Sequence, residues 1–249
     1  MKLHCILFAT FLFCFCPVFS QADTTKTSAV QKDKNKQLLK SSLVPLALIG
    51  SGVFVNYSGG SLGKENLQED IQDGLDDFHT ELDNFLPFVP VITLYGADLL
   101  HVPAKNDAFT QTKYLGIALL VNNLATLGLK QITDEDRPNG DTYSFPSGHT
   151  SNAFVMATAL HLEFKDTHTL LAYSGYLFAT ATGVLRVMNN EHWVSDVLAG
   201  AGIGMLSTQL VYHFEPLKNW QPFKKEGIKT AIGPSMVEET MGLYAVLRF

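Results

Sequence analysis

Five apolar segments, 85–100, 114–129, 151–162, 170–187 and 194–214, follow one another across short polar breaks, and none sustains the alternation of a half-buried strand. Each is long enough for several helical turns, so the body of the chain is predicted to be an all-α helical bundle. An earlier apolar stretch, 43–55, is short and interrupted by Gly50-Ser51-Gly52. It falls below the length of a bilayer crossing and is expected to lie on a membrane or dip into it. From Lys64 to Phe85, Leu67, Ile71, Leu75, Phe78 and Leu82 recur at steps of three or four, which predicts one amphipathic helix. Glu69, Asp70, Asp73, Asp76 and Asp77 fall on its other side and read as a solvated face, without the loop glycine and ligand spacing of a calcium site.

The two ends differ from this body. Residues 1–20 carry one basic residue, Lys2, then an apolar run and Val18-Phe19-Ser20, the pattern of a secretory signal cut near Ser20 or Ala22. Residues 21–42 are polar and locally basic and read as a tether. The helical domain then covers 43–226, and 227–249 is read as a short C-terminal β-hairpin around Gly233-Pro234-Ser235. Cys5, Cys14 and Cys16 all lie in the leader, so the mature chain has neither a disulfide nor a thiolate metal site. Without Lys2, 17 basic residues stand against 24 acidic ones, a net charge of about −7, which argues against a nucleic-acid partner. Nothing in the sequence points to a protein partner.

Against this acidic background three groups of residues stand out at the predicted helix ends. Lys130 is followed after six residues by Arg137-Pro138; Pro146-Ser147-Gly148-His149 comes next; then Arg186 is followed by His192 and Asp196. At about 5% usage per residue type, the Pro-Ser-Gly-His quartet arises by accident roughly once in 10⁵ start positions. Lys130 brings a compact ammonium, and Arg137 and Arg186 bring planar forks that match two oxygens of an oxyanion. Pro138 biases Arg137 away from helical geometry. Ser147 and Gly148 open a helix, where free N–H groups and the helix dipole favour an anion. His192 and Asp196, four apart, share one helix face, so the carboxylate can hold one imidazole nitrogen and leave the other free. Asp134, Glu135 and Asp136 are expected in a solvated loop. His79, His101, His161, His168 and His213 have no partners at a useful spacing.

These three groups resemble the motifs of the type 2 phosphatidic acid phosphatase superfamily, tightly from Lys130 to Asp196 and loosely in the flanking helices. Leu185 departs from the pattern, which has a serine there. The resemblance implies a metal-independent, cofactor-free phosphatase with its site at one end of the bundle. In that scheme His192 is the nucleophile that forms a phosphohistidine, Asp196 orients it, and His149 protonates the leaving alcohol. Lys130, Arg137, Ser147, Gly148 and Arg186 bind the phosphate. The implied substrate is a phosphorylated membrane lipid, of the phosphatidic acid, phosphatidylglycerophosphate, undecaprenyl pyrophosphate or lipid A type. The expected location is the bacterial envelope, membrane-associated, with the site facing the periplasm. A soluble periplasmic acid phosphatase, a vanadium haloperoxidase and a non-catalytic phospholipid-binding protein are the alternatives that the same residues allow.

Overall fold

The computed structural model describes residues 27–75, 78–222, 229–237 and 240–248; the leader 1–20, Asp76, Asp77 and the start of the C-terminal segment lie outside them. The chain divides into two compact units at Lys40–Ser41. The basic stretch read as a tether forms a helix, Thr27–Ser41 (α1). The second unit is an α-helical bundle built from Leu43–Tyr57 (α2), Lys64–Gln72 (α3), Leu82–Phe85 (α4), Val89–Leu99 (α5), Ala108–Thr133 (α6), Gly148–Phe164 (α7), Thr169–Met188 (α8) and Val194–Phe214 (α9). Toward the C-terminus, Lys229–Val237 (β1) and Thr240–Arg248 (β2) pair antiparallel, with Lys229 opposite Arg248.

Helix α7 is the axis of the bundle. From Ser151 to Leu160 every residue except Asn152 is buried, as expected of a helix that is apolar all round. Helices α6, α8 and α9 pack against it, and α2 lies on α9. Close approach of α9 to its neighbours depends on missing side chains. A Cβ on Gly200 would stand 2.7 Å from the Ser147 carbonyl oxygen at the start of α7, and one on Gly202 would stand 2.5 Å from Pro45 O of α2. Small residues at helix contacts are the usual means of bringing backbones together in apolar bundles. At the end of the bundle farther from the motifs, Leu94, Tyr114, Leu115, Val155, Leu160, Phe164 and Tyr212 form the main core.

The outside of this bundle is apolar as well. Leu46, Phe54, Ile92, Leu120, Leu124, Leu127, Leu170 and Leu177 are exposed, well beyond scattered surface leucines. Four helical stretches, Lys32–Tyr57, Ala108–Thr133, Thr169–Met188 and Val194–Phe214, are long and apolar enough to cross a membrane. The first corrects the expectation for 43–55: helical residues on both sides lengthen it to 26.

A second correction concerns the amphipathic helix expected from Lys64 to Phe85. Helix α3 stops at Gln72, with Gly74 in a turn, and Thr80 to Asp83 form a strut on the C-terminal end of α8. Glu69, Asp70 and Asp73 are exposed, as the solvated face requires. Specific polar contacts hold both α3 and the strut to α8: Gln68 Nε2 of α3 donates to Val187 O at 3.1 Å, and the side chain of Asn189 pairs with both backbone groups of Thr80 in the strut at 3.0 and 2.8 Å. The strut delivers Asp83, 1% exposed, to Arg186, with Oδ2 to Nη1 at 2.8 Å. Removal of one partner from such a buried pair leaves a charge without compensation. Asp83→Ala is therefore expected to lower stability by about 3 kcal/mol, read as a lower Tm in detergent; an unchanged Tm would show that the pair does not hold the strut.

Candidate active site

The helix ends put the three motif groups together at one end of the bundle. Lys130 lies in the last turn of α6, and Asp134, in the left-handed conformation, ends that helix. The loop that follows turns back over it: Arg137 N–H donates to Asp141 O at 2.7 Å and Gly140 N–H to Arg137 O at 3.0 Å. Lys130 Nζ donates to the carbonyl oxygens of Tyr143 and Ser144, the latter at 2.9 Å. The ammonium thus holds the loop while adding its charge to the site.

Glu135 differs from the solvated loop expected of it. Its carboxylate accepts from Asn56 Nδ2 at 2.5 Å and from Lys64 Nζ at 2.8 Å, so it ties the loop to α2 and α3. Asp136 contributes its carbonyl oxygen, which accepts from Trp193 Nε1 at 2.8 Å.

At the start of α9, Asp196 Oδ2 accepts from the Trp193 N–H at 3.0 Å, so the carboxylate is fixed by its own helix terminus. The same oxygen lies 3.1 Å from His192 Nδ1 and accepts from the Ser144 hydroxyl. Both residues are buried, His192 at 1% exposure. With Nδ1 held, Nε2 is the nitrogen left for chemistry. Burial is the largest influence on this imidazole and pulls it down to about 4; Asp196 acts in the opposite sense, while Lys130 and Arg137 lower it further. His192 is therefore neutral, with a free lone pair, across the neutral range.

Ser147 caps α7, its hydroxyl oxygen accepting from Thr150 N–H at 3.4 Å and from Thr150 Oγ1 at 3.0 Å. Its own N–H, expected to face an anion, instead donates to Asp196 O at 3.0 Å. This corrects the reading of Ser147 as a free donor: the bond ties the first turn of α7 to the start of α9. The first-turn N–H groups that follow are those of Gly148 and His149. The His149 ring is exposed at the mouth of the site. Partial desolvation comes first in lowering its pKa, followed by the charge of Arg186.

The two arginines meet on one atom. Glu191 Oε2 accepts from Arg137 Nη1 at 2.8 Å and from Arg186 Nη2 at 3.1 Å. Arg186 is gripped on its other side by Asp83. The Nε groups of both arginines are buried and without a partner among the described residues. The structure thus brings Lys130, Arg137, Gly148, His149, Arg186, His192 and Asp196 to one end of the bundle. It adds Ser144, Asp83 and Glu191, which sequence reasoning missed. Asp83 had one visible signal, a carboxylate set among the apolar Leu82, Phe85 and Leu86; Glu191 directly precedes His192. Among the described residues no cluster of three or more His, Cys, Asp or Glu has the arrangement of a metal site.

Several known proteins are similar to this chain. The Porphyromonas gingivalis lipid A 1-phosphatase is 34% identical over 157 residues, 61% of this chain and 35% of that protein, so this chain spans about a third of that relative. The Bacillus subtilis phosphatidylglycerophosphatase B is 27% identical over 146 residues, 55% of this chain and 71% of that protein. A solved structure, Aquifex aeolicus LpxE, overlays with a TM-score of 0.43 at 23% identity, across 61% of this chain and 94% of that one. A family model described as the PAP2 superfamily matches residues 111–220, from the start of α6 past the end of α9. That segment, which carries all three motif groups, is where the chain is similar to the PAP2 superfamily.

Proposed function

We propose that this chain is a membrane phosphatase that removes phosphate from a lipid without a metal, through a phosphohistidine. The observation that carries this reading is the buried His192–Asp196 pair, 3.1 Å apart, at the same end of the bundle as Lys130 and the two arginines. His192 Nε2 attacks phosphorus while the bond from phosphorus to the lipid oxygen breaks, and His149 gives that oxygen its proton. Water then attacks the phosphohistidine, His149 takes the proton back, and inorganic phosphate leaves. Lys130, Arg137, Arg186 and the N–H groups of Gly148 and His149 oppose the charge spread over the equatorial oxygens of the transition state. The exposed apolar surface and the names of the relatives, both given for lipid phosphates, favour a lipid over a soluble ester. The substrate class is phosphatidic acid, phosphatidylglycerophosphate, undecaprenyl pyrophosphate or a lipid A phosphate.

The site is proposed to face the periplasm. Gly52, near the end of α2, meets Ser195 and Ala199 at the start of α9, so α2 finishes at the site end. Lys32, Lys34, Lys36 and Lys40 precede α2 in sequence, and lysine-rich flanks stay in the cytoplasm. This orientation keeps that stretch inside, whereas the secretory signal expected of residues 1–20 would have carried it to the periplasm.

Four measurements test these readings. Phosphate release across a panel of envelope lipids should identify a substrate, persist in EDTA and leave labelled phosphate on the protein. His192→Ala is expected to lose at least about 10³ in kcat, and full turnover in that variant would mean the nucleophile is elsewhere. Because His192 must be neutral and His149 protonated in the free enzyme, kcat/KM should rise as pH increases through about 4 and fall again below the ordinary histidine value of about 6.5. A bound phosphate anion stabilises protonated His149, so the basic limb of kcat should lie at higher pH than that of kcat/KM; coincident limbs would argue against His149 as the acid. Finally, a cysteine introduced by Asn139→Cys in the exposed site loop should react with an impermeant maleimide in intact cells. Reaction only after lysis would reverse the orientation.

A further inference from the structure

Glu191 has no place in the reaction just described, yet it holds both guanidiniums meant for the phosphate. One of its oxygens lies 2.8 Å from Arg137 Nη1 and 3.1 Å from Arg186 Nη2. That grip leaves the Nε of each arginine buried and unpaired, so each fork is only partly used. A tetrahedral oxyanion, with more acceptor oxygens than a single carboxylate oxygen, would satisfy the forks better. Asp83 is different in kind: it is sealed in the fold, reaches the outer side of Arg186 and arrives on a strut bonded to α8. The Glu191 side chain is 27% exposed, and its backbone N–H is fixed to Arg186 O at 3.0 Å. Its carboxylate can therefore swing toward water while the chain that carries His192 stays in place.

We propose that Glu191 belongs to the phosphate site itself: its carboxylate stands where a phosphate oxygen binds between Arg137 and Arg186, and any incoming phosphate must displace it. This rests on the phosphatase reading and deepens it. Two guanidiniums and an ammonium without a competing anion would also hold the product, free inorganic phosphate. A built-in competitor weakens every phosphate by a similar factor, which is a repulsive element of specificity. A phosphate anchored in the bilayer recovers that loss through its high effective concentration at the site. Free phosphate in water does not, so the competition favours lipid-borne substrate and speeds product release.

The sign of one mutation separates this role from a merely structural one. If Glu191 competes with phosphate, Glu191→Gln removes the competing charge and tightens binding. If Glu191 only keeps the arginines in position, the same change loosens them and weakens binding. Titration of inorganic phosphate and of vanadate into the full chain in detergent reads this directly. Glu191→Gln is expected to bind both roughly tenfold more tightly than the unaltered chain, Glu191→Ala should move the same way, and Glu191→Asp, which keeps the charge, should not tighten. Arg186→Gln should bind both more weakly. Unchanged or weaker binding in Glu191→Gln and Glu191→Ala, with normal binding by the unaltered chain, overturns the role of Glu191 and leaves the phosphatase reading standing. An unaltered chain that takes up neither anion sinks the phosphatase reading and this inference with it.

Discussion

Mutual repulsion among Lys130, Arg137 and Arg186 is the constraint on which the site end of this protein depends. Cations brought together at the rim of an apolar bundle stay there only if each has a counter-charge or a set of acceptors. Lys130 has the carbonyl oxygens of the loop that follows α6, Arg186 has Asp83, and the two arginines share Glu191. These are also the contacts that shape the loop, the strut and the first turn of α9. Fold and charge balance at this end are therefore one problem, and the anion that the site is proposed to bind adds to a balance already struck by carboxylates.

The bundle answers that problem with helix termini. Helix α7 is buried along most of its length and cannot carry charged groups on its walls, whereas its first turn offers free N–H groups and is fixed to α9 by the bond from Ser147 to Asp196. Gly200 lets the two helices approach closely enough for that bond. The same carboxylate of Asp196 holds His192, caps its own helix through the Trp193 N–H and accepts from Ser144. Through its carboxylate and its backbone carbonyl, Asp196 thus joins the loop after α6 to the starts of α7 and α9, so that displacement of any one of them disturbs the imidazole.

The apolar outer surface sets the setting in which this works. Leu120, Leu124 and Leu127 on α6 and Leu170 and Leu177 on α8 face outward, and the charged residues of these helices, Lys113, Lys130 and Arg186, lie near their ends. That division suits a solvent that is hydrocarbon along the helices and water at their termini. It also suits the lipid phosphate proposed as substrate, since such a phosphate sits at the same depth as the helix ends.

Composition and spacing alone determined the helical body, its segment order and the positions of Lys130, Arg137, His149, Arg186, His192 and Asp196 at helix ends, because hydrophobic periodicity and helix-end signals are local properties. The helix face expected to carry both His192 and Asp196 is corrected, since α9 begins only at Val194 and the pair closes across its N-terminus. What the linear chain could not reveal depends on contacts across long separations. Asp83 meets Arg186 over 103 residues, Glu135 reaches Lys64 over 71, and Ser144 reaches Asp196 over 52. The helix expected from Lys64 to Phe85 fails for the same reason: contacts with the end of α8 outweigh an apolar pattern that would otherwise continue the helix. Glu191 was in plain view beside His192, but which cations it would bind was decided only when α8, α9 and the loop after α6 came together, since a carboxylate has no directional preference until the fold places the charges around it.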